Sequence, residues 1–162
     1  LRDRTIWNMT EEEWDSVVDI CLKGTFICCH FASPYMRKQG WGRIINTTSA
    51  SGLNGFFGQS NYAAAKAGIV GLTKTLAKEL GKYGVRVNCI SPRALTPLLL
   101  TPEVIKLLNI SEGDKEADSP STAIGKIKSP EAVSPAVVFL ASEEADYITG
   151  QVIGVDGGGA GL

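Results

Sequence analysis

The sequence predicts an α/β fold: part of a doubly wound parallel sheet with helices on its flanks. Three observations carry this expectation. Segments with apolar residues at three- and four-residue spacing alternate with short, β-branched apolar runs. A helix is followed by a strand twice in succession, the order that a parallel sheet requires. The 162 residues are enough for one domain core and not for two.

In chain order, Thr10 and Glu13 form a capping box, in which hydroxyl and carboxylate each satisfy a free backbone amide, so a helix should begin near Glu11. Trp14, Val17, Val18, Cys21, Thr25, Cys28, Cys29, Ala32, Tyr35 and Met36 then make one long stripe that ends before Gly40, with Pro34 bending the last turns. Arg43 to Thr47 reads as a short strand opening into the Ser/Gly-rich run TTSASGLNGFFGQSN. From Tyr62 to about Lys82, Ala65, Ile69, Leu72, Leu76 and Leu80 form a second helical stripe behind an alanine-rich start. Val85 to Ile90 is a buried-looking strand closed by Pro92. Residues 93–128 pair a short apolar piece, LLLTPEVIKLLNI, with the polar run SEGDKEADSPST, and read as a flap rather than as sheet. Ser129 and Pro130 open another helix to about Leu140, and Gln151 to Val155 is the last strand, ended by Asp156 and three glycines.

Composition narrows the function classes. With 44% hydrophobic and 20% charged residues the chain is globular. A formal charge of -1 gives no field to attract nucleic acid or an anionic membrane. No unbroken apolar run approaches the ~20 residues of a bilayer span, and the start lacks a secretion signal, so a cytoplasmic location without membrane contact is expected. Cys21, Cys28, Cys29 and Cys89 lack CxxC spacing and read as reduced, buried thiols. His30 is the only histidine, so no metal site is expected. The glycosylation-type triplets at Asn8, Asn46 and Asn109 read as chance matches.

The chemistry-bearing group is Ser49, Tyr62 and Lys66. Tyr62 and Lys66 are four residues apart at a helix start and share a face, which makes a phenol and an ammonium neighbours. Such a cation favours the phenolate and should lower a pKa that is ordinarily near ~10. Ser49 follows a strand, at the carboxyl edge where parallel sheets present ligands, and is placed to polarise a carbonyl.

The ordered run from IINTTSASGLNGFFGQSNYAAAKAG to VRVNCISP, with EEEWDSVVDICLKGTF before it and YITGQVIGVDGG after it, resembles the short-chain dehydrogenase/reductase family over essentially the whole chain, with likeness to its β-ketoacyl carrier-protein reductases. The resemblance implies a Rossmann-type fold and an oxidoreductase that interconverts a carbonyl and an alcohol. Tyr62 would be the proton donor or acceptor, Ser49 would bind the reacting oxygen, and Lys66 would tune Tyr62 and hold the cofactor ribose. The cofactor would be NAD or NADP, contacted by Tyr62, Lys66, Pro92 and Thr96, and the substrate a small carbonyl or alcohol. Residues 93–128 would form a substrate lid within a single incomplete domain over residues 1–162, and the protein would be a homo-oligomer. Cys21 stands where the family often has a catalytic asparagine and reads as a packed thiol; Asn88 reads as structural; Arg93 replaces the glycine that usually follows Pro92. Gly52, Gly55 and Gly58 read as turn glycines. No GxGxxG turn is present, so the expectation is a chain lacking the amino-terminal nucleotide-binding half, with weak or absent dinucleotide binding if it stood alone. The alternative is a noncatalytic interaction subunit built on the same fold.

Overall fold

A computed structural model describes residues 2–97, 99–111 and 113–159. A capping box does start the first helix: the Thr10 hydroxyl accepts from the Glu13 amide at 3.2 Å, and the Glu13 carboxylate accepts from the Thr10 amide at 3.1 Å. Helix α1 (Glu11–Val18) continues without a break through a π-helical turn, Asp19–Lys23, into α2 (Gly24–Gln39). The π turn corrects the expected single stripe. It takes up one residue more than an α turn, so the residues beyond it are rotated by about 100° around the axis. Cys29 is therefore buried, whereas Cys28 and Tyr35 face outward; Cys28 is exposed and Cys21 half-buried, not packed as expected. The run Glu11–Gln39, 29 residues with a mean hydropathy of 1.3 in its most apolar window, is long and apolar enough to cross a membrane by length and composition, although no unbroken apolar run within it is that long.

Strand β1 (Gly42–Thr47) leads to the short helix α3 (Ala50–Asn54), and α4 (Ser60–Leu80) precedes β2 (Val85–Pro92). After β2 come α5 (Pro102–Leu107), the short strands β3 (Glu116–Asp118) and β4 (Lys126–Lys128), α6 (Ser134–Ala141) and β5 (Val152–Val155). Among the described residues, β1, β2 and β5 form one parallel sheet in that order, with Gly42 opposite Val85, Thr47 opposite Ile90 and Pro92 opposite Val155. This is a partial Rossmann-like arrangement. The expected helix from Ser129 is split, because residues Pro130–Ala132 form a 3-10 turn and α6 starts only at Ser134, beside a second proline. Residues 93–128 are not featureless: β3 and β4 pair antiparallel.

Both faces of the sheet are covered, as its neighbouring side chains alternate. Ile44, Val85 and Val87 pack with Cys29, Ala77 and Leu80 on the side of α2 and α4. Ile45, Ile90 and Ile153 pack with Leu140 and Ala145 on the side of α6. Asn88, 1% exposed, is structural as expected: it donates to the Ile148 carbonyl and accepts from the Gln151 amide, tying β2 to the approach of β5.

At the amino edge, Arg43 and Arg86 stand opposite each other in register and both reach Asp146, each at 3.1 Å. Arg43 is almost enclosed, with its side chain 5% exposed, while Asp146 is 61% exposed. Removing the carboxylate would leave two adjacent guanidinium groups facing each other. Asp146→Ala should therefore lower stability by about 1–2 kcal/mol, discounted for the carboxylate's exposure. Urea unfolding should show a lower midpoint at unchanged slope; an unchanged midpoint would remove Asp146 from this role.

Candidate active site

The site is assembled where β1 ends. The Thr48 amide donates to the Ile90 carbonyl at 2.8 Å, extending the β1–β2 pairing one residue beyond the strand. Ser49 then takes an extended conformation and caps α3, its hydroxyl accepting from the Ser51 amide at 3.2 Å. Two hydrogen bonds fasten α4 to this strand end: the Thr48 hydroxyl donates to the Lys66 carbonyl at 2.7 Å, and the Lys66 ammonium donates to the Thr47 carbonyl at 3.0 Å. A close approach accompanies them. A Cβ on Gly52 would lie 2.6 Å from the Lys66 Cβ, so Gly52 is needed for the contact of α3 with α4 and is not the turn glycine expected. Gly55 and Gly58, both at positive φ, do serve turns.

Tyr62 lies in the first turn of α4 and is set by its neighbour. Asn61, fully buried, accepts from the Tyr62 amide at 2.7 Å and donates to the carbonyls of Glu13 and Arg2. One amide thereby locks the start of α4 to the end of the capping turn of α1. The residue pattern did not disclose Asn61, because an asparagine before a helix reads as an N-cap. Here Gln59 holds the cap position, without a side-chain bond, and Asn61 lies inside the helix.

The structure brings Ser49, Tyr62 and Lys66 together. Ser49 is near enough to the Tyr62 phenol to act on its pKa, and the Lys66 ammonium sits over the Tyr62 ring, 5.6 Å from its centre. The electrostatic expectation for Tyr62 is corrected, however. Its pKa is raised, first by burial, with Ser49 opposing and nearby Cys21 and Asp3 adding to the rise. The Lys66 ammonium donates to the Thr47 carbonyl and lies over the ring face, and burial outweighs any lowering at the phenol. Cys21, half-buried, lies in the π turn.

Pro92 ends β2 opposite Val155, on the same carboxyl edge as Thr47. Thr96 lies further along, half-buried, its carbonyl accepting from the Leu99 and Leu100 amides. The donor set suits the nicotinamide-ribose end of a dinucleotide: Lys66 spends one of its three N–H donors on Thr47, and no other partner among the described residues takes the remaining two, one helical turn from Tyr62.

Comparison with known proteins gives the same reading. The sequence profile of the family described as enoyl-(acyl carrier protein) reductase matches residues 2–159. The chain is 44% identical over 157 residues to the 3-oxoacyl-(acyl-carrier-protein) reductase FabG of Thermotoga maritima, covering 97% of this chain and 61% of the relative. It is 44% identical over 161 residues to the short-chain reductase protein NovJ of Streptomyces niveus, covering 97% and 60%. It is 40% identical over 158 residues to the (3R)-3-hydroxyacyl-CoA dehydrogenase of Mus musculus, covering 97% and 58%. The chain therefore spans roughly three-fifths of the length of these relatives. With a profile match along nearly its whole length, the chain belongs to the short-chain dehydrogenase/reductase family and is β-ketoacyl-reductase-like.

Proposed function

We propose that this chain carries the proton-transfer and substrate-binding part of an NAD(P)-dependent oxidoreductase that interconverts a carbonyl and an alcohol. The observation that carries the reading is the Lys66 ammonium, anchored on the Thr47 carbonyl at the end of β1 and lying over the Tyr62 ring, with Ser49 acting on the phenol from the same strand end. When bound, the nicotinamide ring supplies a hydride to the carbonyl carbon, or accepts one from the carbinol carbon. The protein's part is the oxygen. Ser49 donates to the carbonyl oxygen and holds it near Tyr62, and Tyr62 gives that oxygen its proton as the alcohol forms. In the reverse direction Tyr62 takes the proton back. Lys66 offers its two remaining donors to ribose hydroxyls and keeps a positive charge near the phenol while it is deprotonated.

Two relatives point to one substrate pair. The Thermotoga maritima protein is named for 3-oxoacyl-(acyl-carrier-protein) and the Mus musculus protein for 3-hydroxyacyl-CoA, the two redox states of the same acyl position on two thioester carriers. We take that thioester class as the substrate. Exposed Ile20, Phe31 and Tyr35 on the long helix support self-association as a further part of the proposal.

Tyr62→Phe should lower kcat by about 100- to 10,000-fold, the usual worth of a positioned general acid. Dinucleotide affinity, read by fluorescence titration, should stay close to the unaltered value; turnover near that of the parent would take the proton from another source. The pH profile of reduction follows from the direction of the Tyr62 shift. A phenol whose pKa is raised keeps its proton through neutral pH and loses it only above the ordinary value of ~10. The kcat/KM for reduction should therefore be flat from about pH 6 to 9 as far as Tyr62 is concerned. A fall abolished by Tyr62→Phe and centred below that range's upper end would show a lowered phenol instead.

A further inference from the structure

Arg93 stands where the family resemblance calls for glycine, directly after Pro92, and the structure gives its side chain a specific role. Its amide donates to the Val155 carbonyl at 3.1 Å, which fixes the residue at the carboxyl edge of the sheet. Its guanidinium reaches across to the loop between β3 and β4, donating to the Ser121 hydroxyl at 2.8 Å and its carbonyl at 3.4 Å. That loop is closed on itself. The Ser121 hydroxyl is 2.7 Å from that of Ser119, the Thr122 hydroxyl donates to the Lys126 carbonyl at 3.0 Å, and the Ser119 amide donates to the Gly125 carbonyl at 2.8 Å.

The same loop rests on the glycine turn after β5. The Ile124 amide donates to the Gly157 carbonyl at 3.2 Å. A Cβ on Gly158 would lie 2.8 Å from the Ala123 Cβ, and one on Gly159 would lie 3.0 Å from both the Arg93 Nη1 and the Ser121 carbonyl oxygen. The three glycines are thus the seat that lets residues 119–125 lie against the sheet edge. A cleft of about 750 Å³ is bounded by the latched side, with Ala117, Ser119 and Ile127, and by the α5 side, with Leu99, Val104 and Leu108. Among the described lining residues, Arg93 alone belongs to the sheet edge; the others fall within residues 99–127.

We propose that Arg93 is a positioning residue for the substrate: it latches the loop 119–125 to the carboxyl edge and so fixes one wall of the cleft. This rests on the oxidoreductase reading above. It divides residues 93–128 into a latched part, the β3–β4 ribbon and its loop, and an opposing part around α5. Arg93 touches neither the phenol nor the reacting oxygen, so its loss should show in substrate affinity and not in the proton transfer.

The test is Arg93→Ala, Ser121→Ala and the double variant, assayed with acetoacetyl-CoA as probe and by hydrogen exchange. Arg93→Ala should raise KM about tenfold with kcat within about threefold and dinucleotide affinity unchanged. Ser121→Ala should act in the same direction, and the double variant should be no worse than Arg93→Ala, since both remove one contact. Amide exchange at residues 119–125 should quicken in Arg93→Ala while β2 is unaffected. Unchanged exchange in that loop would overturn the latch whatever the kinetics. Faster exchange with unchanged KM, a loss confined to kcat, or additive effects in the double variant would overturn its role in placing substrate. If the parent protein reduced no carbonyl compound, the oxidoreductase reading would fall, and the latch would be judged on exchange alone.

Discussion

The arrangement depends on the fastening of α4 to the end of β1. Thr48 gives its hydroxyl proton to the Lys66 carbonyl, and Lys66 returns its ammonium to the Thr47 carbonyl. Each bond alone contributes modestly, about 1 kcal/mol for a neutral pair and somewhat more for the charged donor. Together they fix the distance and rotation between a strand end and a helix face. That makes the positions of Ser49, next after Thr48, and of Tyr62, one turn before Lys66, consequences of a single contact. Gly52 is part of the same constraint, because any side chain there would push α3 away from Lys66.

A second consequence concerns charge. Burial prevails at Tyr62, whose pKa is raised, even with the Lys66 ammonium held by a backbone carbonyl over its ring face. A phenol that keeps its proton is suited to giving it up to an oxygen that gains negative charge, which is the reducing direction. The π turn carries Cys28 out to the surface.

Much of this was legible in the residue pattern, and the rest was hidden for definite reasons. The capping box at Thr10 and Glu13, the strand at Arg43 to Thr47 and the helix carrying Tyr62 and Lys66 follow from local chemistry and periodicity, and the structure has all three. The π turn was not legible, because DICLK has ordinary helical propensity and only packing selects the wider turn. Asn61 was hidden because its function depends on the Glu13 carbonyl 48 positions away. Gly52 reads as a turn residue because its close approach to Lys66 is tertiary. The flap at residues 93–128 concealed a ribbon whose strands are three residues each, too short for alternation to register.

If the Ser49 hydroxyl and the Tyr62 phenol act on one oxygen, they act as a unit, and groups that share one function lose it only once. A double-mutant cycle on kcat/KM with Ser49→Ala, Tyr62→Phe and both together is the decisive measurement. The double variant should be no slower than the slower of the two single variants. Losses that multiply would contradict the shared role, showing that the two hydroxyls serve separate steps.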